Sequence, residues 1–437
     1  MSEFLRLIAI PQVKTGVVVR EEDCLLRAGE AEIRTRCRVV FDVTEFPSAT
    51  GEIPDLAVGL DTSQPVSLQF LDSGFEVRDG MLGGTPLNKR ALGDLFRYSV
   101  RYTEPIAVMS QRNSNTVEAL FYNLGKFSFN GLPTRGQDPL QLVFDRYSFT
   151  ISPIPHEYQA ALPAISTPWH RPTNLLKLVI DGNGESCSDL ETLLFDFRQF
   201  MSFAWGHYVG IALAHGTDKH GKLAFAHWGM MRADPNAPSF HQGHWFLPGN
   251  AEVLQQILPG YMRRCRDPLW KDAVEWALYW WLSATHPGQR SETAILASLA
   301  GLEMIASAFR KHRGISPLAW PGATGSGRGS RGAKSAQKIR AVLGLMKMPT
   351  SIPRQLHELH DVAMPLSWDG PEAVSEIRNS LAHPERSGQE GVAFEASQLT
   401  MWYLEMALLY LFDFKGECAN RTVLQKQFQA REKVPWA

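Results

Sequence analysis

Near residue 252 the spacing of apolar residues changes from every second position to every third or fourth, so two kinds of architecture must share this chain. Up to about residue 160, short runs such as Ala31-Glu-Ile-Arg-Thr-Arg-Cys-Arg-Val-Val and Val66-Ser-Leu-Gln-Phe-Leu alternate apolar with polar side chains, with Gly, Pro and Asn between them. Alternation puts one face of a strand into a core and leaves the other in solvent, which predicts an antiparallel β-rich domain over 1–165. Runs at 107–109, 119–122 and 140–149 continue it, and Pro153, Pro155 and Pro163 mark a looser exit.

The stretch 166–252 is mixed. It offers a strand at 175–180, a turn at Asp181-Gly-Asn-Gly and a helix over 188–203 with Asp189 in its first turn. Two strands at 207–214 and 223–229 read as a hairpin, so this part is expected to extend the first domain as an α+β segment. Beyond it, apolar positions at helical spacing predict helices over 251–265, 270–285, 291–311, 335–346, 353–362, 371–383 and 394–414. The expected fold class is therefore α+β, with an all-α bundle occupying 253–437.

At 437 residues the chain is long enough for two or three domains, each with its own core. Lys plus Arg total 44 against 45 for Asp plus Glu, so no global field draws the molecule to nucleic acid or to an anionic membrane, and any RNA contact must be local. Cys24, Cys37, Cys187, Cys265 and Cys418 are scattered without a C-x-x-C pair, which speaks against a disulfide framework and a structural zinc site and fits a reducing cytoplasm. The first residues lack a basic region followed by an apolar run, so no signal segment is expected. The densest apolar stretches, at 276–282 and 401–412, are too short to cross a bilayer.

The residues with the clearest chemistry lie at the end of the predicted 371–383 helix, in Glu376-Ile-Arg-Asn-Ser-Leu-Ala-His-Pro-Glu. Asp369 or Gly370 can cap that helix and Pro384 stops it. Asn379 and His383 are four apart and share a face, while the long side chain of Arg378 reaches the same locality. RNA cleavage without a metal needs a base for the 2′-hydroxyl proton, an acid for the leaving 5′-oxygen and positive donors around the phosphorane. Histidine titrates in the right range for both transfers, and arginine presents fixed charge in a fork that matches phosphate. As bare spacing the pattern is unspecific, since Arg354 and His360 give a second approximate match. A purely structural account is also open, with Arg378 pairing to Glu372 or Glu385 and His383 facing the negative end of a helix dipole.

Context adds to the motif. Arg378-Asn-Ser-Leu-Ala-His-Pro resembles the R-N-x-x-x-H form of the HEPN family and stands before a long apolar last helix. The helix carrying Ser298-Leu-Ala-Gly-Leu-Glu-Met-Ile-Ala, the motif helix, the last helix and the ending Asn420-Arg-Thr to Val434-Pro-Trp-Ala are similar to ApeA-type proteins, which join a β-rich N-terminal domain to a C-terminal HEPN domain in abortive anti-phage defence. The resemblance implies a HEPN-like helical bundle and a metal-independent endoribonuclease without a cofactor, leaving 2′,3′-cyclic phosphate ends on RNA such as tRNA. It assigns Arg378 and His383 as catalytic and Asn379 as their polar neighbour, and it places Glu303 at a recurrent acidic position that orients Arg378. It further implies a homodimer that brings two such motifs into one cleft, and a β-rich domain that senses a phage-derived trigger.

Other features weigh less. Arg328, Arg331 and Lys334 in the Gly/Ser-rich stretch 321–334, continuing to Lys338 and Arg340, form a basic run without a carboxylate, an RNA-binding candidate or a solvated linker. His227, His241 and His244 lack a carboxylate or cysteine at ligand spacing, so no metal site is expected, and Trp228, Trp245 and Phe246 suggest ordinary packing. No strand precedes the Gly-rich stretch and no G-K-[ST] follows, which disfavours a nucleotide-hydrolysing loop. The last helix is apolar almost all round, with Glu395, Glu405 and Asp413 as exceptions, and must be covered on several sides by the bundle or by a second subunit. Two rival functions stand beside the nuclease: a non-catalytic HEPN binding or assembly module, and an immunity protein.

Overall fold

The computed structural model describes residues 16–42, 48–53, 65–72, 76–85, 97–101, 106–109, 112–122, 124, 139–154, 172–230, 245–246, 251–286, 288–314, 334–382, 392–423 and 431–437. The chain forms two compact units. One lies within Met1–Phe127, Arg135–Arg198 and Tyr208–Ser239, and the other within Ser128–Thr134, Gln199–His207 and Phe240–Ala437.

The first unit is β-rich. Its described strands are β1 (Gly16–Ala28), β2 (Ala31–Asp42), β3 (Ser48–Ile53), β4 (Pro65–Phe70), β5 (Glu76–Thr85), β6 (Arg97–Arg101), β7 (Ile106–Met109), β8 (Thr116–Tyr122), β9 (Leu140–Phe144), β10 (Tyr147–Pro153), β11 (Pro172–Ile180), β12 (Gly210–Thr217) and β13 (Leu223–Met230). They hydrogen-bond in the order β4-β1-β2-β3-β6-β5-β7-β13-β12-β8-β11-β10-β9, and an extra β4–β5 pairing closes the first six into a ring. Closure removes exposed edges from that ring. The alternation read from the sequence explains its interior: Cys24 and Leu26 on β1, Cys37 and Val39 on β2, and Leu68 and Phe70 on β4 are buried, while Arg34 and Arg36 point outward. The run at 140–149 is two strands rather than one. Asp145 takes a left-handed turn at φ 54° and folds β10 back on β9, a tight turn that alternation alone does not disclose. The expected hairpin is β12 with β13, beginning at Gly210.

Helix α1 (Cys187–Trp205) starts on the open part of this sheet, where Phe197 stacks on Phe149 at 3.9 Å. Its residues from Gln199 onward belong to the second unit, as do Trp245 and Phe246. The sequence had grouped all of these with the N-terminal part. Their side chains explain the difference: Phe203 stacks on Trp245 at 4.8 Å and meets Trp281 and Phe412 edge-on at 4.9 and 5.7 Å.

The second unit is helical, with α2 (Ala251–Arg266), α3 (Lys271–Thr285), α4 (Ser291–His312), α5 (Ser335–Leu345), α6 (His357–Ala363), α7 (Gly370–Ala382) and α8 (Ala393–Leu411), then a short β14 (Glu417–Ala419) and β15 (Arg431–Lys433) pair. Helix α6 begins later than its apolar pattern predicts, because the Leu356 N–H closes a turn onto the Pro353 carbonyl at 3.0 Å. Of the 19 residues of α8, 17 are buried within this fold, so its all-round apolarity is satisfied inside the chain. Small side chains bring its neighbours close: Ala284, Ala294, Ala297 and Met401 make one tight cluster between α3, α4 and α8. Among the described residues α4 is long and apolar enough to cross a bilayer, but 61% of that stretch is buried inside the fold.

Candidate functional site

Helix α7 carries the motif, and its start is firmly fixed. Asp369 accepts the Glu372 N–H at 2.9 Å, which makes it the N-cap, and the Gly370 N–H donates to the Thr350 carbonyl at 2.7 Å. A side chain at residue 370 would collide with the hydroxyl of Tyr403 on α8, so the close approach of the two helices requires glycine there. From α5, Arg340 clamps the same cap, donating to both oxygens of Asp369 at 2.7 and 2.8 Å and to Glu372 at 2.6 Å. Burial pushes the Asp369 carboxyl up, yet the Arg340 bonds and the capped N–H outweigh it and hold the group below its ordinary value. Ala373, Val374 and Ile377 bury the inner face of α7.

That face directs Arg378 toward α4. Its Nη2 lies 3.8 Å from Oε1 of Glu303, and both side chains are about one-third exposed. Glu303 also accepts from Ser335 Oγ at 2.7 Å and from Lys338 Nζ at 2.9 Å, both on α5. Burial works against ionisation of Glu303, but the bonds from Lys338 and Ser335 and the charges of Lys338 and Arg378 prevail and keep it ionised. The Arg378 Nε is buried and has no hydrogen-bond partner among the described residues. Asn379 is half-buried on the next position of the helix. Ala382 is the last residue of α7, so His383 follows the helix directly and lies outside the described residues.

The structure thus joins Arg378 to Glu303, which stand 75 residues apart in sequence, through three helices. This arrangement fixes a guanidinium beside an ionised carboxylate, and a guanidinium is a group whose fork geometry matches a phosphate. Other expectations change. Glu372, weighed as a partner for Arg378, is taken by Arg340, and Glu385 lies outside the described residues. Lys338 and Arg340, read as the end of a basic run free of carboxylates, sit on a helix and are neutralised by Glu303, Asp369 and Glu372 from other elements. Lys334 precedes α5 and is exposed, while Arg328 and Arg331 lie outside the described residues. Arg354 is exposed in the turn before α6 and His360 lies within that short helix, 4.0 Å from Asp361. No spacing in the sequence pointed to Ser335 as a partner of Glu303, since the contact arises only where α5 packs on α4.

His227 is buried on β13 with its Nδ1 3.7 Å from Glu191, and Trp228, Trp245 and Phe246 are core residues; His241 and His244 lie outside the described residues. No group of three metal-ligating side chains occurs among the described residues. The five cysteines are free and buried.

Comparison with known proteins places the match on the helical part. Residues 267–432 match the model of the YopA C-terminal domain, a span that includes Glu303, Ser335, Lys338, Arg378, Asn379 and His383. The chain is also 22% identical over 254 residues to the SPbeta prophage-derived uncharacterized protein YopA of Bacillus subtilis (strain 168), covering 57% of this chain and 54% of that protein. The chain therefore spans about half the length of the curated relative it matches. No solved structure matches. What can be said of kinship is that the helical part is similar to the YopA C-terminal domain and that the likeness to the prophage protein is distant.

Proposed function

We propose that the helical unit is a HEPN-type endoribonuclease that cleaves RNA without a metal when triggered through the β-rich unit. The observation that carries this reading is the placement of Arg378, first residue of the R-N-x-x-x-H motif, 3.8 Å from Glu303 on the preceding long helix. In the proposed reaction the 2′-oxygen attacks phosphorus as the P–O5′ bond breaks, giving a 2′,3′-cyclic phosphate and a 5′-hydroxyl. His383 transfers the protons, Arg378 stabilises charge on the phosphorane, Asn379 orients them and Glu303 holds Arg378 in place. Two copies meeting at their motifs would supply the second histidine, so a homodimer belongs to the proposal. The prophage origin of the distant relative agrees with a part in conflict between phage and host, and an enzyme of this kind would need an inhibited resting state.

The test is cleavage of tRNA and total RNA by the full-length protein in chelator, beside Arg378→Ala and His383→Ala, with product ends mapped. Loss of at least a hundredfold in both variants, with cyclic-phosphate ends in the wild type, is expected. Equal cleavage by all three proteins would overturn the assignment. The satisfaction of Glu303 by Ser335 and Lys338 favours a second reading, a structural ion-pair cluster in a non-catalytic binding module. Growth inhibition that survives His383→Ala would support it.

A further inference from the structure

At the end of α5 opposite to Ser335, roughly 15 Å along the helix by its rise per residue, a cleft of about 560 Å³ opens within the helical unit. Its size lies in the range of small-molecule sites. Trp270, Phe309, Tyr410 and Trp436 supply aromatic lining, and Arg264, Arg313, Lys347 and Lys415 supply fixed positive charge. The single carboxylate of the lining, Asp413, is already paired with Arg263 at 3.0 Å.

Cations at this place have an ordinary explanation, because α2, α4, α5 and α8 all end here and helix C-termini attract them. Magnitudes argue against its sufficiency. Four cations and one carboxylate leave a net of about +3, whereas four helix ends at about −0.5 each supply only about −2. The terminal carbonyls are moreover bonded by backbone: Arg313 N–H donates to Phe309 O at 3.1 Å, Met348 N–H to Leu343 O at 3.0 Å and Phe414 N–H to Leu409 O at 3.0 Å. Lys347 and Asp413 hold the left-handed closing positions at φ 54° and 60°, where glycine is the residue of least strain.

The aromatic part is ordered. The Trp436 indole donates to the Phe414 carbonyl at 2.6 Å and stands edge-on to Tyr410 at 5.3 Å. The Arg264 guanidinium lies 5.1 Å from the centre of the Trp270 ring and is anchored through Nε to the Leu411 carbonyl at 3.1 Å. Trp270 itself is 1% exposed, and its indole N–H has no acceptor among the described residues. A buried donor left without a partner is costly, so this N–H is open to an acceptor beyond the described residues.

We propose that this cleft binds a free nucleotide, with its phosphate among Arg264, Arg313, Lys347 and Lys415 and its base against the aromatic lining. Surplus positive charge fits a phosphate, and the partly exposed rings of Tyr410 and Trp436 in the same lining offer aromatic surface to a base. The site is separate from Arg378 and Glu303 and does not depend on RNA cleavage.

Isothermal titration of the full-length protein at low salt with the four ribonucleoside 5′-monophosphates, adenosine and inorganic phosphate tests this. Saturable binding of at least one nucleotide is expected, at least tenfold tighter than adenosine or phosphate alone. The double variant Arg313→Ala, Lys415→Ala, both positions being exposed, should bind at least tenfold more weakly with an unchanged circular dichroism spectrum and melting curve. No saturable binding at millimolar nucleotide, equal binding by the double variant, or phosphate alone binding as tightly as the nucleotide would overturn the proposal.

Discussion

Glu405 is fully buried in the middle of an apolar helix, where Arg421 is its charged partner. Arg421 pairs with it through Nη2 and donates from Nε at 3.2 Å, while the Trp281 indole donates at 3.2 Å. Burial pushes the Glu405 carboxyl up, opposed mainly by the charge and hydrogen bonds of Arg421. Glu303, much less buried and beside the charges of both Lys338 and Arg378, is shifted the other way. Removing Arg421 leaves a buried carboxylate without its counter-charge, so Arg421→Ala should destabilise the helical unit by about 3–5 kcal/mol. Replacing both residues, Glu405→Leu with Arg421→Met, removes the uncompensated charge and should cost less than the single change. Chemical denaturation followed by tryptophan fluorescence reads both. A double variant less stable than Arg421→Ala would contradict a desolvated ion pair. In the sequence Glu405 was visible as an exception on an apolar helix, but nothing in its spacing named Arg421, because the pair forms only after the chain has turned back from the helix end.

Helices were legible here because their apolar periods are long and regular, and the elements from α2 to α8 fall close to the expected ranges. What spacing could not convey was the crossing of one helix over another. Gly260 on α2 looks like a poor helix residue beside Pro259, yet a Cβ there would strike the backbone carbonyl of Phe412 just beyond α8. Gly301 on α4 instead faces the Cδ2 of Leu404 at 2.8 Å, the end of a side chain that can shift. Alanine favours a helix over glycine by about 1 kcal/mol at either position. At residue 301 that gain and the small repacking nearly cancel. At residue 260 backbone must separate from backbone, and overpacking of about 1–3 kcal/mol wins, so Gly260→Ala should melt lower than Gly301→Ala. The reverse order in thermal unfolding would mean that α2 does not rest on the end of α8. The candidate site was legible to the same depth: Arg378, Asn379 and Glu303 stood out by residue type, while Ser335 and Lys338 on Glu303, and Arg340 on Asp369, required the packing of α5 against α4 and α7.

A change of period is a poor guide to where a folding unit begins, and the whole chain makes that testable. The helical pattern starts near residue 252, but the helical unit takes in Gln199–His207 and the segment from Phe240 onward. Phe200 lies 5.3 Å from Tyr261, Phe203 fills the space between Trp245, Trp281 and Phe412, and the Trp245 indole donates to the Phe203 carbonyl at 3.1 Å. The Thr285 hydroxyl adds a bond to the Gly206 carbonyl at 3.0 Å. Phe200, Phe203 and Trp245 are essentially without solvent exposure. At about 1.5–3 kcal/mol for each large apolar side chain, their loss removes roughly 5–9 kcal/mol. A domain's whole stability is about 5–15 kcal/mol, so residues 253–437 expressed alone should fail to fold cooperatively despite containing every helix from α3 to α8. Heat-induced unfolding followed by circular dichroism, with binding of a hydrophobic dye as a second readout, compares that fragment with the full-length protein. A broad transition and dye binding are expected of the fragment. A sharp transition at the temperature of the full-length protein would show instead that the aromatic cluster from α1 adds nothing, and that the period change marks the boundary after all.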